Sequence, residues 1–271
     1  MSQFLRDIKI ANINVTEQTL ESINHFLIDR LVTANSAIDA KSISEKEKAD
    51  QRLALFYVIR FDNRGYRLYD AQEAFRFYQQ AAKVERVIFT LDSAQSERTN
   101  RMYGTYCEVR FDANDPNNCN IQVSSDDGDA VDAIYNGILE IVGKSKSLSG
   151  FARTTWTQFL VQILGVAGGF ILSLITAIKA SPHLKFENSF VLTFLFAFLI
   201  FSNSWGFINQ QILRLINYSF PNIRFSREGK GSFTWLFQAL VGGILVALFL
   251  LIFSELMDWV GNILGGFIGD N

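Results

Sequence analysis

The chain is 271 residues long, 49% hydrophobic, and carries 25 Phe against 3 Pro, which excludes an intrinsically disordered protein. Its net charge of −2 argues against broad nucleic-acid affinity. The average hides two halves: residues 1–154 hold 19 Lys plus Arg and 22 Asp plus Glu, whereas the rest is charged mainly in short loops. That asymmetry reads as a soluble domain followed by a membrane domain.

The opening segment has no long apolar run before a small-residue cleavage site, so no secretory signal is expected and the soluble domain is placed in the cytoplasm. FLRDIKIANINV reads as one opening strand, with Ile8, Ile10 and Ile13 recurring among polar residues. Thr16 stands at an N-cap position before a helix to about Ala34, in which Leu20, Ile23, Leu27 and Leu31 share a face. SEKEKADQR reads as an exposed helix or connector without core residues. LALFYVIRF, DNRG and YRLYD have the composition of a hairpin, with Gly65 expected to supply the positive φ. Asp70 and Glu73 form a candidate capping box for a helix through Lys83, and VERVIFTLDS is the next strand.

After the polar linker SAQSERTNR, MYGTYCEVRFD and CNIQVSS flank the turn DANDPNN and predict a second hairpin. Strict alternation puts Cys107, Val109 and Phe111 on one face with Cys119, Ile121 and Val123. The opposite face then carries Tyr106, Glu108, Arg110, Asn120, Gln122 and Ser124, and is either solvated or covered by a ligand or neighbour. A terminal helix begins after SSDDGD, with Val131, Ile134, Ile138 and Val142 at helical spacing. Because the strands come in hairpins, the fold class expected for residues 1–146 is α+β, a mainly antiparallel sheet with helices on one face.

A linker, 147–155, leads to an all-α transmembrane domain, 156–271, of three expected spans at about 156–179, 189–208 and 233–253, followed by an interfacial C-terminal tail. Basic residues set the orientation. Lys144, Lys146, Arg153, Arg214, Arg224, Arg227 and Lys230 lie on the side of the soluble domain, against Lys179 and Lys185 opposite, which predicts an outside C-terminus.

Motifs for catalysis are missing: no phosphate-binding loop, no dinucleotide glycine fingerprint and no zincin motif occur. No enzyme, cofactor or metal site is therefore expected. His25 is read as a structural residue beside core positions. Both thiols, in a reducing compartment and facing the core, are read as unpaired and inert. Asp126, Asp127, Asp129 and Asp132 have carboxylates that hard cations favour, but at a helix start capping explains them more simply.

Two basic aromatic sets suggest ligand binding. Arg60, Arg64 and Arg67 interleave with Phe61, Tyr66 and Tyr69, and Arg98, Arg101 and Arg110 accompany Tyr103 and Tyr106. Guanidinium groups and aromatic faces suit a phosphorylated, base-bearing ligand, although solvated cross-strand pairs use the same residues. On the first span, Gln158, Gln162, Gly165, Gly169, Ser173 and Thr176 form one stripe, which serves either a helix-packing seam or a water-filled conduit. The second span adds Asn203 and its polar neighbours, and Glu255 with Asp258 would form a carboxylate ring around an oligomer axis.

With these basic aromatic hairpins, a sensor-sized first half and three spans with inner polar clusters, the chain resembles, in layout, membrane effectors of bacterial antiphage defence. The Hailong, CBASS and type III CRISPR systems include such effectors. The resemblance implies a homo-oligomeric pore in the bacterial inner membrane, a cyclic assembly in the lipid bilayer gated by a nucleotide or short oligonucleotide. The alternative is a membrane-anchored scaffold that recruits a cytoplasmic protein partner through the polar sheet face.

Overall fold

The computed structural model describes residues 3–147 and 149–227, with residues 239, 240 and 243 beyond them. Two compact units are present: one runs to Gly150 and is rejoined at Pro221, and the other is Phe151–Phe220. The expected third span at 233–253, the C-terminal tail, Glu255 and Asp258 lie outside the described residues.

The first unit is α+β, with the antiparallel sheet that the hairpin pattern predicts. Its strands are β1 (Phe4–Lys9), β2 (Ile13–Thr16), β3 (Leu53–Phe61), β4 (Arg64–Leu68), β5 (Val84–Ser93), β6 (Tyr106–Asp112), β7 (Asn120–Ser125) and β8 (Ile223–Ser226). Its helices are α1 (Glu17–Asp39), α2 (Glu45–Gln51), α3 (Ala71–Gln80), α4 (Ala94–Arg98) and α5 (Gly128–Lys144), with a short α6 (Ser149–Ala152) following. Six strands form the main sheet in the order β1-β7-β6-β5-β3-β4, every pair antiparallel. One core is shared by the sheet face carrying Phe89, Cys107, Val109, Phe111, Ile121 and Val123 and by α1, α3 and α5. Burial pushes the Cys119 thiol up to about 11 and that of Cys107 higher still, so both stay protonated at neutral pH.

Thr16 caps α1 through a reciprocal box with Thr19, and Asp127 caps α5 by accepting from Asp129 N. Four local expectations need correction. The β3–β4 turn puts positive φ at Asp62 and Asn63 rather than Gly65, because a two-residue turn matching strand twist needs both central residues left-handed. The opening segment is two strands, not one: Asn12, at φ 59°, breaks it and sends β2 out of the main sheet. The linker SAQSERTNR contains α4, capped by Ser93. Finally, His25 is exposed, since the core face of α1 uses Leu20, Ile23, Asn24 and Leu27.

Strand β2 pairs in parallel with β8, the segment that follows the second long helix. Its amides alternate between two neighbours: Ile13 N donates to Asn222 O at 3.0 Å, and Asn14 N donates to Ser145 O at 2.8 Å. Ser147 N returns a bond to Asn12 O at 2.7 Å. Residues 12–16 thus hold both the chain leaving the first unit and the chain re-entering it. Ile13, Val15 and Ile223 are buried there, and the Tyr78 hydroxyl lies 3.1 Å from both Val15 O and Ser226 O. Arg227 caps the end of α3, donating to the carbonyls of Ala81 and Ala82.

The second unit is a pair of packed helices, α7 (Thr155–Ala180) and α8 (Ser189–Ser219), joined by a single 3-10 turn at Ser181–His183. Both are long and apolar enough to cross a membrane, and little of either is buried. A soluble core helix would hide such a surface; here Phe159, Ile163, Val166, Phe170, Leu195 and Leu199 are all exposed.

If β8 belongs to the soluble fold, Ile223→Ala will lower the thermal midpoint of the purified full-length protein. The expected cost is about 2–5 kcal/mol, as for other buried aliphatic truncations. Exposed Arg64→Ala serves as the control and should leave the midpoint unchanged.

Candidate functional site on the outer sheet face

The sheet face away from α1, α3 and α5 is built from alternate residues. Register aligns Arg67, Val58, Ile88, Arg110 and Asn120 in one cross-strand row, and Phe56, Thr90, Glu108 and Gln122 in the next. Asp92, Tyr106 and Ser124 form the third row. The α4 segment and its following turn close over this end of the sheet, leaving a cavity of about 380 Å³. Volumes of this size are typical of small-ligand sites.

The covering turn is held by backbone geometry. Asn100 and Arg101 are both left-handed, and Arg101 N donates to Ser96 O at 2.8 Å. Gly104, at φ 84°, lets the chain pass Ser93, whose Oγ would lie 2.5 Å from any Cβ there. Gly104 N donates to Asp126 Oδ2 at 3.1 Å, so one member of the acidic cluster secures this turn. Asp127 caps α5 and Asp132 pairs with Arg6 at 2.9 Å, which accounts for two more.

Glu108 is the hub of the cavity wall. It is 8% exposed, accepts from the Tyr106 hydroxyl at 2.7 Å and lies 3.0 Å from Arg110 Nε. Arg101 places its guanidinium 3.8 Å over the Tyr106 ring, with Nη2 3.9 Å from Glu108. Burial, and then the neighbouring Glu108 carboxylate, push the Tyr106 phenol up, so it serves as a donor. On the far wall Arg67 lies 4.0 Å over Phe56 and 5.7 Å from Tyr69.

Of the seven ligand residues expected from sequence, Arg67, Arg101 and Arg110 line this cavity. The others are engaged elsewhere or placed apart. Arg60 pairs with Glu85 at 2.9 Å, and Arg98 pairs with Asp50 of α2. Tyr66 lies on the helix side, against Phe61 and Phe77, because its register partner Ile59 faces the core. Arg64 opens β4, exposed, opposite Phe61. Sequence reading missed Asp92, Thr90 and Ser96. Alternation along β5 would have found the first two, but Ser96 needed α4.

The stripe of α7 also divides. Gly165, Gly169 and Ser173 are buried, and Gly165 and Gly169 face Trp205 and Phe201 of α8. Ser173 Oγ donates to Gly169 O at 2.6 Å, and Thr176 Oγ1 to Leu172 O at 2.8 Å. Gln158, Gln162 and Asn203 are exposed. Small residues thus form a seam against α8, and the glutamines stand outside it.

Among the described residues, no group of three or more His, Cys, Asp or Glu is placed to hold a metal ion. No protein-family model matches the chain, and no curated protein or solved structure shows significant similarity to it.

Two outcomes test these geometries. Burial raises the Asp92 carboxyl above its ordinary value, with Ser96 and Arg101 pulling the other way. A carboxyl whose folded pKa exceeds its unfolded one costs stability as pH rises from the unfolded value through the folded one. Asp92→Asn should therefore raise the thermal midpoint at about pH 7 and raise it less at about pH 4. In the second unit, Gly165→Leu would drive a side chain into the Trp205 indole. Cysteines placed at Gly169 and Phe201 should cross-link readily with Gly165 present and poorly with Gly165→Leu.

Proposed function

We propose that the chain is a membrane protein whose α+β unit, on the cytoplasmic face of a bacterial inner membrane, gates a homo-oligomeric pore in answer to a small ligand. The observation that carries this reading is the double grip on β2. Outgoing residues 145–147 and returning residues 222–226 both bond to residues 12–16. Any shift of β2 therefore pulls on the chain entering α7 and on the chain leaving α8 together. A passive anchor has no use for such a joint.

The same grip supports the orientation. The chain leaves the first unit at Gly150 and re-enters it at Pro221, so the start of α7 and the end of α8 are both joined to that unit by short connections. Seven basic residues against two agree with that unit's side being cytoplasmic. Neither the two described helices nor the three expected spans of one chain would enclose a channel, so a conduit requires several copies around an axis. A ligand then opens or closes it only by binding one state better than the other. The layout is that of a permeabilising effector of antiphage defence, and that role is part of the proposal.

One observation favours the alternative of a scaffold. The glycine seam, one of the two roles expected for the α7 stripe being a pore lining, is occupied within the chain by Trp205 and Phe201. Under that reading the balanced polar sheet face recruits a protein partner, and the hairpin only anchors.

Recording purified protein in planar bilayers separates the two. Under the gating reading current appears, and a disulfide between cysteines at the register partners Asn14 and Arg224 fixes it in one state until reduced. The native thiols are buried and do not interfere. Persistent silence in bilayers across mononucleotide and oligonucleotide panels supports the scaffold, and current indifferent to the cross-link removes β2 as the joint.

A further inference from the structure

We propose that the outer-face cavity binds a small anion carrying a planar ring with an N–H donor, a nucleoside monophosphate in class, with phosphate held at Arg67 and Arg110 and an amino-bearing base held at Asp92. The site rests on the sensor reading above and assigns that sensor its ligand chemistry.

The first ground is unmet polar valence. Arg110 Nε is a buried atom that lacks a well-aligned hydrogen-bond partner among the described residues, the buried Asp92 carboxylate is eased by the neighbouring Ser96 hydroxyl, Arg101 and the Ser93 backbone, and Asp92, Ser96 and Arg110 all line this cavity. Arg110 Nε is close to Glu108 but off the line that a hydrogen bond requires. A buried polar group with few partners is costly, and a buried carboxylate and a guanidinium beside one hollow favour an occupant that meets both. Ser96 is fully buried and Thr90 is 4% exposed, so the walls are part of the fold. They are not loose surface chains.

The second ground is the distribution of charge. Arg67, Arg101 and Arg110 line one cavity with Asp92, Glu97 and Glu108. Such a balanced wall disfavours a polyanion and suits a ligand with one anionic end and one donor end. Glu108 is already engaged by Tyr106, Arg110 and Arg101. Arg67, by contrast, contacts the aromatic faces of Phe56 and Tyr69, which leaves its donors available for an anion. At the other wall the Asp92 oxygen accepts from an exocyclic amine, as carboxylates do from amino-bearing bases.

The third ground is shape. Val58 and Ile88 supply an apolar floor, and the Arg67 guanidinium lies 4.0 Å over the Phe56 ring beside them. A planar heterocycle stacks on such a surface without regard to its identity, and the hydrogen bonds at Asp92 and Ser96 then select the base.

Direct titration calorimetry on full-length protein in detergent tests this with AMP, CMP, GMP and UMP, their nucleosides, inorganic phosphate and a short oligonucleotide. At least one amino-bearing monophosphate is expected to bind more tightly than UMP, its nucleoside and phosphate. Arg67→Ala should weaken it tenfold or more while leaving nucleoside binding unchanged, and Asp92→Ala should remove the preference over UMP. No saturable binding at about 1 mM, phosphate binding as well as the nucleotides, preference for the oligonucleotide, or indifference to both variants would each overturn the proposal. Because binding is read without current, the two readings fail separately. A ligand that binds a silent protein sinks the gate and leaves the site; a conducting protein that binds none does the reverse.

Discussion

Four residues, Ile13–Thr16, carry a constraint on which the rest of the fold depends. A short strand offers few backbone groups, and here they are divided between two segments separated by the whole of the helical hairpin. Antiparallel hydrogen bonds tie it to residues 145–147, and parallel pairing ties it to residues 223–226. Two strands alone are marginal in water. What holds this pair is what surrounds it: Ile13, Val15 and Ile223 in the common core, the Tyr78 hydroxyl between two carbonyls, and Arg227 on the end of α3. The first unit is thus completed by a piece of chain made after the apolar helices.

That arrangement orders the energetics. Folding of the first unit closes a loop of some seventy residues between Gly150 and Pro221, a cost that grows only slowly with length. If the hairpin forms first in lipid, its ends are already together and most of that cost has gone. The first unit and the hairpin therefore favour one another through chain connectivity. A change at the outer-face cavity has a continuous physical route to this joint. Strand β5 lines the cavity with one face and supplies Leu91 and Phe89 to the core with the other. The same core holds Val15.

Much of this was legible in the sequence, and the reasons are local. Thr16 before α1, the alternation around Cys107 and Cys119, and the apolar spacing of α5 each express a period or a cap that needs no distant partner. Strand β8 was not legible, because INVT and IRFS are four-residue strands whose pairing is decided more than two hundred residues apart. The same distance rule explains the site. Arg67, Arg101 and Arg110 were found by composition, but only register distinguishes them from Arg60, Arg98 and Tyr66, which carry the same chemistry to other places. Gly65 misled because composition names a turn without naming which residue must be left-handed. Asp62 and Asn63 took that role.

The division of the α7 stripe bears on what any conduit is made of. Gly165 and Gly169 are filled from α8 by Trp205 and Phe201, so a pore lined by the small residues would first have to break the hairpin's own seam. Outside the seam, Gln158, Gln162, Gln210 and Gln211 are exposed toward the end where α7 begins and α8 finishes, and Asn203 is exposed near the middle of α8. Trp205 Nε1 and Asn209 Oδ1 add two buried polar atoms, one helical turn apart on α8, that have no hydrogen-bond partner among the described residues. Polar groups in hydrocarbon are stable only against protein or water. The opposite end of the hairpin is apolar on its outer faces, as with Leu172, Ile175, Val191 and Leu195. The glutamines and asparagine thus supply the polar part of the hairpin's surface, and the glycines keep its two helices together.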